Sequence, residues 1–152
     1  KKKGEIDEII LEGAIKDIPS IAFSLCDYDA DADFTPMEAV VRMLCEHVLQ
    51  NGMPKGAFLN VNVPKVSAAE ELKGLRMCRM SRGEWLNEVE TLADRHDEHG
   101  NPVCVLRGYY SSREPDAEDT DAWALRNGYV AVTPATIDIT AYHFPSLPDS
   151  LA

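Results

Sequence analysis

No glycine-rich phosphate loop, no G-x-S-x-G elbow and no C-x-x-C pair occurs in this sequence. The first two absences exclude the usual P-loop and dinucleotide-binding fingerprints and the serine-hydrolase elbow. The four cysteines, Cys26, Cys45, Cys78 and Cys104, fit no zinc spacing. Each lies in an apolar stretch, and small core residues in a reducing compartment are expected. No apolar run approaches the roughly 20 residues of a membrane span. No signal peptide is visible, so a cytoplasmic setting is expected. Basic residues are scarce: 15 Lys and Arg against 26 Asp and Glu leave a net charge of −11. That balance argues against nucleic-acid and anionic-membrane partners. Apolar residues make up 45% and charged residues 27%, enough core for one folded domain in 152 residues.

Two short β-branched runs carry most of the information. Phe58-Leu59-Asn60-Val61-Asn62-Val63 is followed by Pro64, and Gly128-Tyr129-Val130-Ala131-Val132-Thr133 by Pro134. Both are expected to end at the proline, which has no N–H and restricts the residue before it. Asn60 and Asn62 alternate with apolar neighbours, so one strand face carries two carboxamides. A polar face at the end of a buried strand is where open α/β sheets place ligands.

Apolar residues at helical spacing predict a helix over 5–16, ended by Asp17-Ile18-Pro19, then a buried strand over 20–25. Thr35-Pro36-Met37-Glu38 has the form of a capping box with proline at the first helical position. The helix it opens carries Val40, Val41, Leu44, Cys45, Val48 and Leu49 on one face and stops at Asn51-Gly52. After a polar connection, 75–80, 85–92 and 103–110 read as extended, with a hairpin tip at His96–Asn101. Thr120 is expected to cap a short helix through Arg126, closed by Asn127-Gly128. A strand over 129–132 and an extended piece over 137–140 follow. The expected fold class is α/β: part of a Rossmann-like three-layer core with an antiparallel β-hairpin extension.

Three polar clusters invite a metal reading. Asp27, Asp29, Asp31, Asp33 and Glu38 match the oxygen positions of an EF-hand loop, but Ala32 stands where the turn needs glycine and Pro36 interrupts. A solvated acidic loop is the preferred reading, with a calcium-binding module at Asp27–Glu38 as the lesser alternative. Asp94, His96, Asp97, Glu98 and His99 have transition-metal side chains yet sit where a polar turn belongs. Asp119-Thr120-Asp121 could face a cation, but a cap with a first-turn acid explains it more simply. His47 is expected to pack or snorkel on its helix, and His143 says little.

Taken in order, several segments resemble the C-terminal part of the SurE family, the survival-protein 5′/3′-nucleotidases. They are Glu12-Gly13-Ala14, Ile18 to Leu25, Leu59 to Pro64, Lys73 to Arg76, Asp97 to Gly100, Thr120 to Ala124, Gly128 to Pro134 and Ile137 to Thr140. The resemblance implies a nucleoside monophosphate phosphohydrolase, dependent on a divalent metal (Mg or Mn). It also implies a homo-oligomer, dimer or tetramer, built by exchange of the hairpin or tail. It divides the chain into the end of the α/β core (1–64), a hairpin extension (65–118) and a short helix, strand and tail (119–152).

The family holds its metal with an adjacent Asp pair, a Ser and an Asn, and carries Tyr-Ser-Gly-Thr before the helix ending in Glu-Gly-Ala. This sequence has no Asp-Asp pair, and Lys1 to Leu11 contain no Tyr-Ser-Gly-Thr. No catalytic or metal residue is therefore carried over, and no substrate-binding residue is assigned. The chain starts Lys1-Lys2-Lys3 rather than with Met, and a fragment, or a longer protein lacking its beginning, is expected. Such a chain should not hold the metal and should be inactive alone. A non-catalytic assembly module is the alternative, because long hairpins with apolar residues need a partner surface. Marginal stability is expected unless the chain oligomerises.

Overall fold

The computed structural model of the chain describes residues 3–27, 29–140 and 142. Helix α1 (Lys3–Ile15), strand β1 (Ser20–Leu25), helix α2 (Glu38–Asn51) and strand β2 (Ala57–Val63) follow in the expected order. β1 and β2 pair in parallel, Ser20 opposite Phe58 and Leu25 opposite Val63. The end of α1 shows why the chain can turn there. Asp17 takes a left-handed conformation (φ 57°), and the Ile18 and Asp17 N–H groups bond to the Gly13 and Ala14 carbonyls. This satisfies carbonyls that the helix end would otherwise leave unpaired. The Asp17 carboxylate then accepts the Gly56 N–H at 3.1 Å, fastening the start of β2 beside the end of α1.

Alternation along β2 sorts the two sheet faces. Val61 and Val63 are fully buried and pack with Met37 and Val40 beneath α2, joined by Val130 and Val132 of strand β8 (Val130–Thr136). Asn60 and Asn62 face the other way, where α1 approaches through Gly13 beside Ser20 and helix α3 (Asp121–Arg126) packs Ala124 on Ala131 and Cys78. The result is three layers. The sheet order is β1-β2-β8-β3, with β3 spanning Leu75–Met77. β8 runs antiparallel to β2 and parallel to β3.

β8 does not stop at Pro134, as expected, but continues through it to Thr136. The Val130 N–H and Val132 carbonyl bond toward the β3 side, while the Ile137 N–H bonds toward Gly56 at the start of β2. Pro134 therefore turns its nitrogen toward the β3 side, beyond the last β3 pair at Met77, so no ladder bond is lost. The piece 137–140 is not a strand.

The hairpin also departs from expectation. Residues 85–92 and 103–110 are each broken, into β4 (Gly83–Leu86) with β5 (Val89–His96), and β6 (Pro102–Leu106) with β7 (Tyr109–Ser112). β4 pairs β7, and β5 pairs β6. At the break Asn87 is left-handed (φ 54°) and Gly108 has φ 118°. A Cβ on Gly108 would lie 2.5 Å from the Leu86 carbonyl oxygen, so the ribbon can jog there only with glycine.

Other expectations are corrected. Thr35 does not cap α2 through its side chain and Glu38 closes no capping box. A 3-10 turn over Thr35–Met37 precedes the helix, and the Thr35 N–H is taken by the Asp33 carboxylate at 2.9 Å. The extended run 75–80 shortens to β3. Of the four cysteines only Cys78 is buried; Cys26, just past the end of β1, and Cys104, on β6, are exposed. Ile10 and Ala14 of α1 are buried, but Ile9 is 72% exposed and Leu49 of α2 is 84% exposed. The expected N-cap at Thr120 is present, its side chain accepting the Trp123 N–H.

Val61 sits at the centre of the core with no exposure. Val61→Ala should cost about 2 kcal/mol, read as a lower urea midpoint at unchanged slope. Gly108→Ala should disorder the ribbon with less effect on the sheet, read as faster amide exchange confined to 83–112.

Candidate functional site

A cavity of about 1170 Å³ opens beyond the carboxyl ends of β1 and β2. Cys26 follows β1 into it, Asn62 reaches it from β2, and Trp85 and Tyr110 face it from the hairpin base. Asp121 and Ala122, the first turn of α3, close another side. This is where a sheet with parallel strands presents its ligand crevice. Of the Asn pair anticipated from the sequence, Asn62 lines the cavity and donates Nδ2 to Asn60 Oδ1 at 3.3 Å, which orients both carboxamides. Opposite Asn60 in the ladder stands Thr133, 5% exposed, whose hydroxyl has no hydrogen-bond partner.

The cavity depends on a cluster of charges that holds the hairpin base against the sheet. The Arg79 guanidinium donates to Asp119 through Nε (2.7 Å) and Nη2 (3.1 Å). It donates to Glu114 through Nη1 (2.5 Å) and Nη2 (3.1 Å). Both carboxylates are thus engaged by two bonds in a planar fork that lysine cannot reproduce. Glu114 also accepts the Arg82 N–H at 2.8 Å. These bonds, led by Arg79, pull the Glu114 carboxyl down to about 2 and hold the Arg79 guanidinium still more firmly protonated. The backbone reinforces the arrangement: the Arg79 N–H bonds Asp119 O, the Asp121 N–H bonds Arg79 O, and the Arg113 N–H bonds Arg82 O.

Asp119-Thr120-Asp121 proves structural throughout. Asp121 Oδ1 accepts the Ser81 N–H (2.9 Å) and the Ala122 N–H (2.7 Å). Thr120 is buried, caps α3 and donates to Ala117 O at 2.8 Å. Asp27, Asp29 and Asp33 each accept a backbone N–H two residues on. The Asp27 carboxyl is held low by the Asp29 N–H and then by Lys65. At the hairpin tip Asp97 gathers the His99 and Asn101 N–H groups and the Asn101 carboxamide, with its carboxyl held low chiefly by Asn101. His47 is exposed, and its carbonyl accepts from Asn51. His143 lies outside the described residues, as does the tail beyond Tyr142.

A divalent metal does not fit these donors. Around the cavity, Glu114 and Asp119 are occupied by Arg79 and Asp121 by two amides. Among the described residues no three His, Cys, Asp or Glu side chains converge. Arg79 was missed in the sequence because its partners lie 35 and 40 residues away, outside any local pattern.

A three-layer α/β unit with its cleft at the carboxyl ends of parallel strands defines a Rossmann-like protein. A family profile described as Survival protein SurE matches residues 9–87. The chain is 46% identical over 135 residues to the 5′-nucleotidase SurE of Phocaeicola vulgatus, covering 88% of this chain and 50% of that protein. It is 43% identical over 136 residues to the 5′-nucleotidase SurE of Bacteroides thetaiotaomicron, covering 90% and 50%. A crystal structure of the SurE protein from Aquifex aeolicus superposes with a TM-score of 0.67 at 33% identity, covering 90% of this chain and 53% of that one. The chain belongs to the SurE family. It spans about half the length of the curated relatives it matches.

The latch has a pH signature. Glu114 titrates lower folded than free, so its contribution is complete above its ordinary value of 4.5 and is lost as pH falls toward about 2. Limited proteolysis after an acid pulse should show the hairpin base opening in that window. Glu114→Gln should abolish this acid transition and speed tryptic cleavage at Arg82 and Arg113 at neutral pH. Unchanged cleavage would contradict it.

Proposed function

We propose that the chain supplies the cleft-forming half of a metal-dependent 5′-nucleotidase that hydrolyses nucleoside monophosphates. The observation that carries this is the cavity at the carboxyl ends of β1 and β2, bordered by Asn62, in a member of a family whose matched relatives are named 5′-nucleotidases. The Mg or Mn ion of such a reaction neutralises phosphate oxygens and activates water. The cavity donors of this chain do not suit it, so its ligands come from the half of the family's length that this chain does not span. The three segments 1–64, 65–118 and 119–152 act as parts of one domain. The working protein is cytoplasmic and binds no nucleic acid, in keeping with its net charge of −11. No helix among the described residues is long and apolar enough to cross a membrane.

A second reading, assembly, is favoured by the ribbon itself. β5 and β6 pair with each other, and Val89, Tyr109, Ile137 and Ile139 are left exposed beside or beyond the ribbon. A hairpin or tail exchanged within a dimer or tetramer would cover such residues.

The chain alone should release no phosphate from AMP with magnesium or manganese. Adding the unmatched half of the Phocaeicola vulgatus relative should restore metal-dependent release. Turnover by the chain alone would refute the proposal. Light scattering should give an oligomer, and a stable monomer at high concentration would remove the assembly reading.

A further inference from the structure

The cavity has one wall that neither phosphate binding nor metal binding explains. Trp85 of β4 and Tyr110 of β7 face each other in register, ring centroids 6.2 Å apart and planes at 65°. Both line the cavity and both stay partly exposed, Trp85 at 43% and Tyr110 at 37%.

Their placement is fixed by contacts that a solvent-facing aromatic pair does not need. The Tyr110 hydroxyl donates to the Ser81 carbonyl at 2.9 Å. Ser81 is itself buried, its hydroxyl 3.1 Å from that of Ser112. Gly83 supplies the space for the Tyr110 ring, since a Cβ there would lie 2.5 Å from its hydroxyl-bearing end. The ring is therefore immobilised at both its edge and its hydroxyl, and Trp85 packs edge-on against it. Side chains locked by packing and by secondary hydrogen bonds are what recognition of a rigid planar group requires. Arg113 borders the same cavity, held by Glu84 at 3.2 Å.

We propose that Trp85 and Tyr110 form the wall that takes the nucleobase of the substrate, with purines favoured over pyrimidines. The physical reason is area: a purine covers more of an indole face than a pyrimidine, and base–aromatic stacking scales with overlap. The carboxamide of Asn62 across the cavity offers hydrogen-bonding groups to the sugar or the base edge. This assignment rests on the nucleotidase reading for its class of ligand, but the wall itself makes no use of the metal. A purely structural role is the competing account, because cross-strand aromatic pairs also stabilise hairpins.

The test is a titration of the whole chain with adenosine, cytidine and ribose 5-phosphate. It is followed by the indole N–H resonances of Trp85 and Trp123. Adenosine should move Trp85 and leave Trp123 in place. Cytidine should bind several-fold more weakly, and ribose 5-phosphate should leave Trp85 unmoved. Trp85→Ala should weaken adenosine binding about tenfold, while Trp85→Phe keeps most of it. Where the alanine variant loses its folded spectrum, Trp85→Leu keeps an apolar strand residue and takes its place. A Trp85 resonance blind to millimolar adenosine, or a Trp85→Leu chain that binds adenosine undiminished, overturns the assignment. The two readings fail separately. Adenosine binding without phosphate release in the reconstituted assembly removes the nucleotidase and leaves the wall. Phosphate release with no change in purine preference on Trp85→Leu removes the wall alone.

Discussion

One guanidinium, that of Arg79, fixes the hairpin base against the sheet beside the cleft. Arg79 leaves the sheet just beyond β3 and joins two carboxylates from the other end of the hairpin excursion. A ribbon of this length has few contacts of its own with the sheet. Without a fixed base it would swing, and the cavity between its foot and the ends of β1 and β2 would have no defined shape. The planar fork of arginine suits the task because each carboxylate is gripped by two donors at once. The partial exposure of these groups limits what the bonds add to global stability. Their effect is on geometry: they set where β4, β7 and α3 sit relative to Asn62.

The same constraint explains Asp119 and Asp121, which the sequence offered as facing a cation, and Glu114 beside them. Glu114 and Asp121 line the cavity and Asp119 shares Arg79 with Glu114, yet each is committed to arginine or to backbone amides. Acidic residues in a cleft are often read as catalytic, but a carboxylate whose lone pairs are already engaged is a fastening. Beside these committed carboxylates the cavity is bordered by the carboxamide of Asn62, which leans on Asn60, and by the side chains of Arg82 and Arg113.

Much of the fold was legible in local sequence. The alternation of Asn60 and Asn62 with Val61 and Val63 placed β2 correctly and gave the polar face its position. Thr120 with Asp121 announced α3, and Gly52 and Gly128 closed helices because only residues at ease with positive φ fit there. What escaped was set by distant partners. Pro134 lies inside a strand because β3 ends early. Thr35 does not cap because a 3-10 turn over Thr35–Met37 sets it back from the start of α2. The ribbon breaks at Asn87 because Gly108 lies across from it, and Arg79 gave no sign because its partners are far along the chain. Burial was likewise misjudged for Cys26 and Cys104, where an apolar neighbourhood in sequence did not place the side chain inside.

The exposed Ile9 and Leu49, and the open outer edge of β1, complete the picture of a chain with surfaces left to cover. The shape of the cleft depends on Arg79. The most direct measurement is a double-mutant cycle on Arg79→Met and Glu114→Gln, read through amide exchange at Arg113 and Asp121. If the latch acts as a unit, either single change accelerates both amides as much as the pair of changes does, and the exchange of Val61 is untouched. Additive effects, or amides that stay protected in the Arg79→Met chain, would contradict it.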